Sequence, residues 1–169
     1  MSKFRRVMCF LLSVVAFACL LPLPGAAQEI GLASEAAVLM DAESGQILYG
    51  KNMDSTMYPA SITKVLTGLL ALKYAKETDK VTMTQAGVSQ VPRTSSHIAL
   101  EPGEVFTMKD ALYALALVSA NDAAVAIAET VSGSVEDFAK LMNEEAEKLG
   151  AYNSHFVNPN GMPNQDHYT

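Results

Sequence analysis

The chain has 169 residues, half of them hydrophobic, with 12 basic and 18 acidic side chains and a formal net charge of −6. That length suits one domain with a core of its own. The acidic balance argues against nucleic acid or an anionic membrane surface as a partner.

Residues 1–27 have the plan of a secretory signal peptide. Lys3, Arg5 and Arg6 form a positive start, Val7 to Leu21 is an apolar run, and Pro22 to Ala27 ends in small residues, with cleavage expected after Ala27. The run is short for a membrane span, and Cys19 lacks the leucine-led context of a lipoprotein site. Both cysteines, Cys9 and Cys19, fall in this segment, so the mature chain holds no disulfide and depends on core burial. Removing the three basic residues leaves 9 basic against 18 acidic side chains, a net −9. The mature protein is expected to act outside the cytoplasm.

Ala36 to Met40 and Gln46 to Tyr49, separated by the turn-forming residues Asp41 to Gly45, predict a β-hairpin. A hairpin ahead of an apolar helix implies an antiparallel sheet with helices packed on it, an α/β fold of α+β character. Lys51 to Met57 is a polar connection. A helix is predicted from about Ser61 to Lys76, entered through Pro59, whose fixed φ suits a first turn. Ile62, Val65, Leu66, Leu69 and Leu70 recur at helical spacing, and Ala71 and Leu72 fill the opposite side. A helix apolar all round is expected to be buried. Gly68 inside it implies close approach of another element, because glycine costs about 1 kcal/mol there relative to alanine.

Val81 to Thr84 is a short strand candidate, and Gln85 to Glu104, rich in proline and glycine, is expected to be irregular. Thr107 is placed to cap a helix that runs through the apolar residues Ala111 to Val118. Ser119-Ala120-Asn121 interrupts the pattern before an alanine-rich helix from Asp122 to about Val131. Ser134 caps a third helix ending at Gly150, and Asn158 to Gly161 is a turn. The chain reaches Thr169 without a closing strand, which leads to the expectation of a truncated piece of a longer domain.

Two polar residues at the start of the apolar helix do not fit a structural role. Burying an unpaired ammonium costs several kcal/mol, so Lys64 either has partners or is neutral. Ser61 lies one turn earlier on the same side. A serine hydroxyl needs a base, and burial makes a lysine into one. The helix N-terminus adds positive field and offers the Ser61 N–H to a developing oxyanion. A Ser-x-x-Lys spacing alone occurs by chance about once in a chain of this size and composition; the apolar setting of Lys64 is what raises its significance. Lys73 and Lys76 lie near the helix end and are expected to meet solvent. Ser119 and Asn121, two apart, share a cleft only if the helix breaks between them; alternatively Asn121 caps the following helix. His97, His155 and His167 are far apart and lack a metal-ligand pattern, so neither a metal nor another cofactor is expected.

Ser61-Ile62-Thr63-Lys64, followed by Ser119-Ala120-Asn121, resembles the first two of three motifs of the penicillin-recognising serine enzymes. Tyr58-Pro59-Ala60, Pro92-Arg93-Thr94-Ser95-Ser96, Ala120-Asn121-Asp122-Ala123-Ala124 and Phe156-Val157-Asn158-Pro159-Asn160-Gly161 extend the likeness to the low-molecular-mass penicillin-binding proteins that act as D-alanyl-D-alanine carboxypeptidases. The resemblance covers essentially the whole mature chain. It implies a DD-peptidase/β-lactamase-like fold, incomplete here, with residues 28–169 as the N-terminal part of the catalytic domain. It further implies Ser61 as nucleophile, Lys64 as its base, Ser119 as proton relay and Asn121 as donor to the substrate's backbone carbonyl. The implied partners are a peptidoglycan stem peptide ending in D-Ala-D-Ala and β-lactam antibiotics.

One departure stands out. The family's third motif, Lys-Thr-Gly or a variant on a strand edging the cleft, is absent from these 169 residues. It supplies a carboxylate-binding lysine and the second oxyanion N–H, and one such donor is worth about 10²–10³ in rate. The fragment is therefore expected to be inactive by itself. The family's C-terminal β-rich domain and amphipathic membrane anchor are expected only in a full-length protein. A serine β-lactamase is an alternative, but it needs a deacylating glutamate, and Glu144-Glu145-Ala146-Glu147 is expected to be the wet face of a capped helix. The other alternative is a non-catalytic wall-binding remnant.

Overall fold

The computed structural model describes residues 31–169. The expected signal peptide, with Cys9 and Cys19, lies outside the described residues. Among those described, no helix is long and apolar enough to cross a membrane.

The predicted hairpin forms from β1 (Ala37–Met40) and β2 (Ile47–Lys51), with Ala37 opposite Lys51 and Leu39 opposite Tyr49. Asp41 organises its turn, accepting at Oδ1 from the Ser44 amide at 2.8 Å and the Ser44 hydroxyl at 2.6 Å. Gly45 supplies the left-handed residue, φ +72°. Val38 and Leu39 point to opposite faces of the ribbon, yet both are exposed, as are Met40, Ile47 and Leu48. A second antiparallel pair, β3 (Lys80–Thr82) and β4 (Val105–Thr107), joins Val81 to Phe106. This pair packs against helices; the hairpin strands pack only on each other among the described elements.

Helix α1 (Thr63–Tyr74) follows a single 3-10 turn over Ala60–Ile62, with Pro59 at φ −73° leading in. The stretch expected to be wholly irregular contains one short helix, α2 (Gln85–Ser89), because the Thr84 hydroxyl caps it by accepting from the Gly87 N–H at 2.8 Å. Helix α3 (Met108–Val118) opens on a reciprocal capping box between Thr107 and Asp110. Ser119 then takes φ +55°, ψ +38°, which ends α3 and lets α4 (Asn121–Ser132) start in a new direction. Helix α5 (Val135–Lys148) is capped by Ser134, which accepts from the Asp137 N–H, and Gly150 at φ +84° follows its end.

The core is built around α4. Ala123, Ala124, Val125, Ala126, Ile127 and Ala128 are each at most 2 % exposed. Their small side chains let α1, α3, α5 and β3 close on one helix from several sides. Leu70 and Ala71 of α1, Met108, Ala111 and Leu115 of α3, and Phe138 and Met142 of α5 complete the interior. Burial on all sides, expected for α1, belongs to α4. One side of α1 is open: Ile62 and Val65 are each 74 % exposed, and Leu69 and Leu72 share that face. The expected close approach at Gly68 is absent as well. A Cβ there would sit 3.5 Å from Leu115 Cδ2, an ordinary contact.

Candidate active site

Ser61 lies in the 3-10 turn immediately before α1, and the helical repeat brings Lys64 back over it. Lys64 Nζ donates to Ser61 Oγ at 3.0 Å and to the Asn160 carbonyl at 2.8 Å. Ser61 is exposed, whereas Lys64 is 6 % exposed. Burial lowers the Lys64 pKa from 10.5 to about 8, because removing the ammonium from water disfavours the charged form. At pH 7 about one Lys64 in ten is then neutral, against about one in 3,000 for an ordinary lysine. The pair thus joins an accessible hydroxyl to an amine able to take its proton.

The residue before the serine is held in an uncommon conformation. Ala60 has φ +48°, a left-handed geometry costing a non-glycine residue about 1–2 kcal/mol. Gly161 packs against it so closely that a Cβ at 161 would lie 1.7 Å from the Ala60 carbonyl oxygen. Thr67, one turn beyond Lys64, donates to the Pro159 carbonyl at 2.6 Å. The turn Asn158–Gly161 closes on the Asn158 side chain, which accepts from Gly161 N–H at 2.7 Å and donates to the Met162 carbonyl at 3.0 Å.

Ser119 joins Ser61 and Lys64 along one open cavity of about 770 Å³ between α1 and α3, otherwise walled mainly by Val65, Leu69, Leu72 and Leu112. Its left-handed backbone is what turns it there. Asn121 does not line this cavity and does not cap α4 by its side chain. It is 5 % exposed, its Nδ2 faces Met162 Sδ at 3.7 Å, and its buried Oδ1 has no partner among the described residues. The Ser119–Asn121 turn is anchored from the other side. Asn121 N–H donates to the Ser96 carbonyl at 2.9 Å, and the buried Asp122 carboxylate accepts from the Ile98 and Leu100 amides at 3.0–3.2 Å.

Two surface expectations are corrected. Lys73 does not simply meet solvent: it pairs with Glu145 at 2.6 Å, and this hydrogen bond raises its pKa. Glu145 in turn is 5 % exposed rather than part of a wet face. Among the described residues no three His, Cys, Asp or Glu side chains gather as metal ligands. His97 accepts from the Ala99 amide within its own loop and His155 bridges to Tyr168, whereas His167 is 2 % exposed and bonds Thr63. Asn160, Gly161 and Asp122 belong to stretches that carry the resemblance, yet their contacts with Lys64, with Ala60 and with the Ile98 and Leu100 amides are not foreseen from the sequence, nor is that of His167 with Thr63. Asn160 acts through a backbone carbonyl, which leaves no side-chain signal. Asn158 to Gly161 did carry a turn signal, but nothing in it says what the turn touches.

A family model described as D-alanyl-D-alanine carboxypeptidase matches residues 24–169. D-alanyl-D-alanine carboxypeptidase DacF of Bacillus subtilis is 40% identical over 146 residues, covering 83% of this chain and 37% of the relative. DacA of Haemophilus influenzae is 35% identical over 143 residues, covering 82% of this chain and 36% of the relative. The crystal structure of penicillin binding protein 6B from Escherichia coli superposes with a TM-score of 0.77 at 29% identity, covering 88% of this chain and 49% of that one. The chain therefore spans a little over a third of the length of these curated relatives.

Proposed function

Because the chain belongs to the D-alanyl-D-alanine carboxypeptidase family, we propose that it carries the nucleophile, base and second motif of a serine hydrolase that removes the terminal D-alanine from peptidoglycan stem peptides. Neutral Lys64 accepts the Ser61 proton as Oγ bonds to the carbonyl carbon of the penultimate D-alanine. The oxyanion is met by the Ser61 N–H at the helix start. Collapse breaks the peptide C–N bond, Ser119 passes the proton to the departing amine, and D-alanine leaves. Water then opens the ester and frees Ser61. Asn121 donates from Nδ2 to the substrate's backbone carbonyl, a role that requires Met162 Sδ to give way.

A β-lactam presents a similar acyl-D-Ala-D-Ala-like end and acylates Ser61. Residues 28–169 form the N-terminal part of the catalytic domain, and a Lys-Thr-Gly strand supplied by a longer protein completes the cleft. The exposed apolar faces of α1 and the hairpin favour this reading. Residues 1–27 direct the protein out of the cytoplasm, where its substrate lies.

The observation that carries the proposal is the 3.0 Å contact of a buried, easily neutralised lysine with an exposed serine. The β-lactamase alternative has little to support it here. Glu145 is held by Lys73, and Glu129 accepts from the Thr84 hydroxyl, so neither is poised over Ser61. The test is release of D-alanine from a stem pentapeptide by the full-length protein. Rapid turnover of penicillin with the peptide left intact would instead establish a β-lactamase.

A further inference from the structure

We infer that His167, seated against Thr63 inside the Ser61–Lys64 motif, is a positioning residue that holds the Asn158–Met162 turn, and with it the Asn160 carbonyl, in register with the nucleophile and its base. The inference rests on the acyl-transfer function proposed above.

The ring's hydrogen bonds specify its tautomer. Val157 N–H points at Nδ1 from 3.2 Å, so Nδ1 must accept. The proton then sits on Nε2, which donates to Thr63 Oγ1 at 2.8 Å. Phe156 packs edge-on against the ring, with centroids 5.4 Å apart. Burial first, and the neighbouring His155 second, hold the pKa below the ordinary histidine value and keep the ring neutral. A protonated ring would set Nδ1–H against the Val157 N–H.

His167 is one of a series of contacts between two chain segments about 100 residues apart. Thr169 pairs with Met57 through two backbone hydrogen bonds at 2.9 and 3.0 Å, just upstream of the serine. His167 then meets Thr63, Asn160 meets Lys64 and Pro159 meets Thr67. Gly161 closes on Ala60. The segment therefore straps the entry of α1 from Met57 to Thr67. Thr63 sits between nucleophile and base, so a ring that fixes its hydroxyl fixes the turn on which both depend.

The test uses the full-length protein. ¹⁵N NMR of the imidazole at pH 7 should find Nε2 protonated and Nδ1 bare. Stopped-flow acylation by a fluorescent penicillin should then separate non-covalent binding from the acylation step in Thr63→Val, His167→Phe and the double variant. Each single variant is expected to slow the acylation step by about ten- to a hundredfold with binding unchanged. The double variant should be no slower than the slower single one, because both remove the same contact. Thr63→Val keeps the ring and its packing, so it decides the matter even if His167→Phe fails to fold. Wild-type acylation in Thr63→Val, additive losses in the double variant, or an Nδ1-protonated ring overturns the inference. A wild-type protein that takes no label defeats the proposed function and the inference with it, whereas a labelled wild type with an unaffected Thr63→Val defeats the inference alone.

Discussion

Replacing Lys64 by methionine separates the cost of burying this amine from the role proposed for it. The fold lowers the Lys64 pKa from 10.5 to about 8, so folding at pH 7 must oppose the ammonium's preference for water. Integrated over the shift, that opposition is about 3 kcal/mol at pH 7 and falls to about 1 kcal/mol at pH 9.5. A folded pKa below the unfolded value means that stability is gained as pH rises from 8 towards 10.5 and lost as pH falls through 8. Methionine matches the apolar stem and removes the charge, but it leaves the Asn160 carbonyl without its donor, at a cost of about 1–3 kcal/mol. At pH 7, Lys64→Met should therefore be as stable as the wild type or up to about 2 kcal/mol more stable. Its advantage should shrink by about 2 kcal/mol at pH 9.5. Urea unfolding of both full-length proteins at the two pH values measures this, while acylation of Ser61 should fall at least about a thousandfold. A methionine variant several kcal/mol less stable at pH 7, with no change in the difference on raising the pH, would refute a lysine carried at a cost to the fold.

Three further perturbations probe what surrounds the pair. Gly161→Ala places a Cβ 1.7 Å from the Ala60 carbonyl oxygen at a residue with φ +81°; thermal unfolding should show a loss of more than about 2 kcal/mol, with slowed acylation. Ala60→Gly relieves φ +48° one residue before Ser61 and should raise stability by up to about 1 kcal/mol in the same measurement. Asp122→Asn keeps the shape but weakens acceptors for three backbone amides, those of Ile98, Leu100 and Ala123. Amide exchange at Leu100 should accelerate, and stability should fall by about 1–3 kcal/mol.

The local architecture was largely legible from the residues. Asp41 to Gly45 marked the hairpin turn, Thr107 and Ser134 marked helix starts, and Gly150 marked a helix end, because capping and left-handed turns have side-chain signatures. Three-dimensional burial was less so. The apolar pattern pointed to α1 as the buried helix, but alanine counts for little in such a pattern. Alanines nonetheless put α4 at the centre, since only small side chains admit several neighbours. Glu145 likewise sat in an acidic run that looked wet, and Lys73, 72 residues away in sequence, comes to it only through the fold.

The candidate site divides in the same manner. Ser61 and Lys64 were visible because a helix fixes residues three apart on one side. The break at Ser119 was visible as an interruption between two apolar runs, but the left-handed backbone that turns Ser119 toward the cavity was not. Asn121, set back behind Met162, shows that sharing a short motif does not by itself place two side chains on one cavity. The strap from Val157 to Thr169 works through carbonyls, one glycine and a buried histidine, all positioned by contacts across about a hundred residues. No local pattern encodes those.

The most direct measurement is the site of acylation. The full-length protein is incubated with a penicillin, digested, and the adduct mapped by mass spectrometry. The mass of one opened β-lactam should appear on the peptide containing Ser61, and Ser61→Ala should carry none. An adduct on any other residue, or one that persists in Ser61→Ala, would contradict the assignment of Ser61 and Lys64 as nucleophile and base.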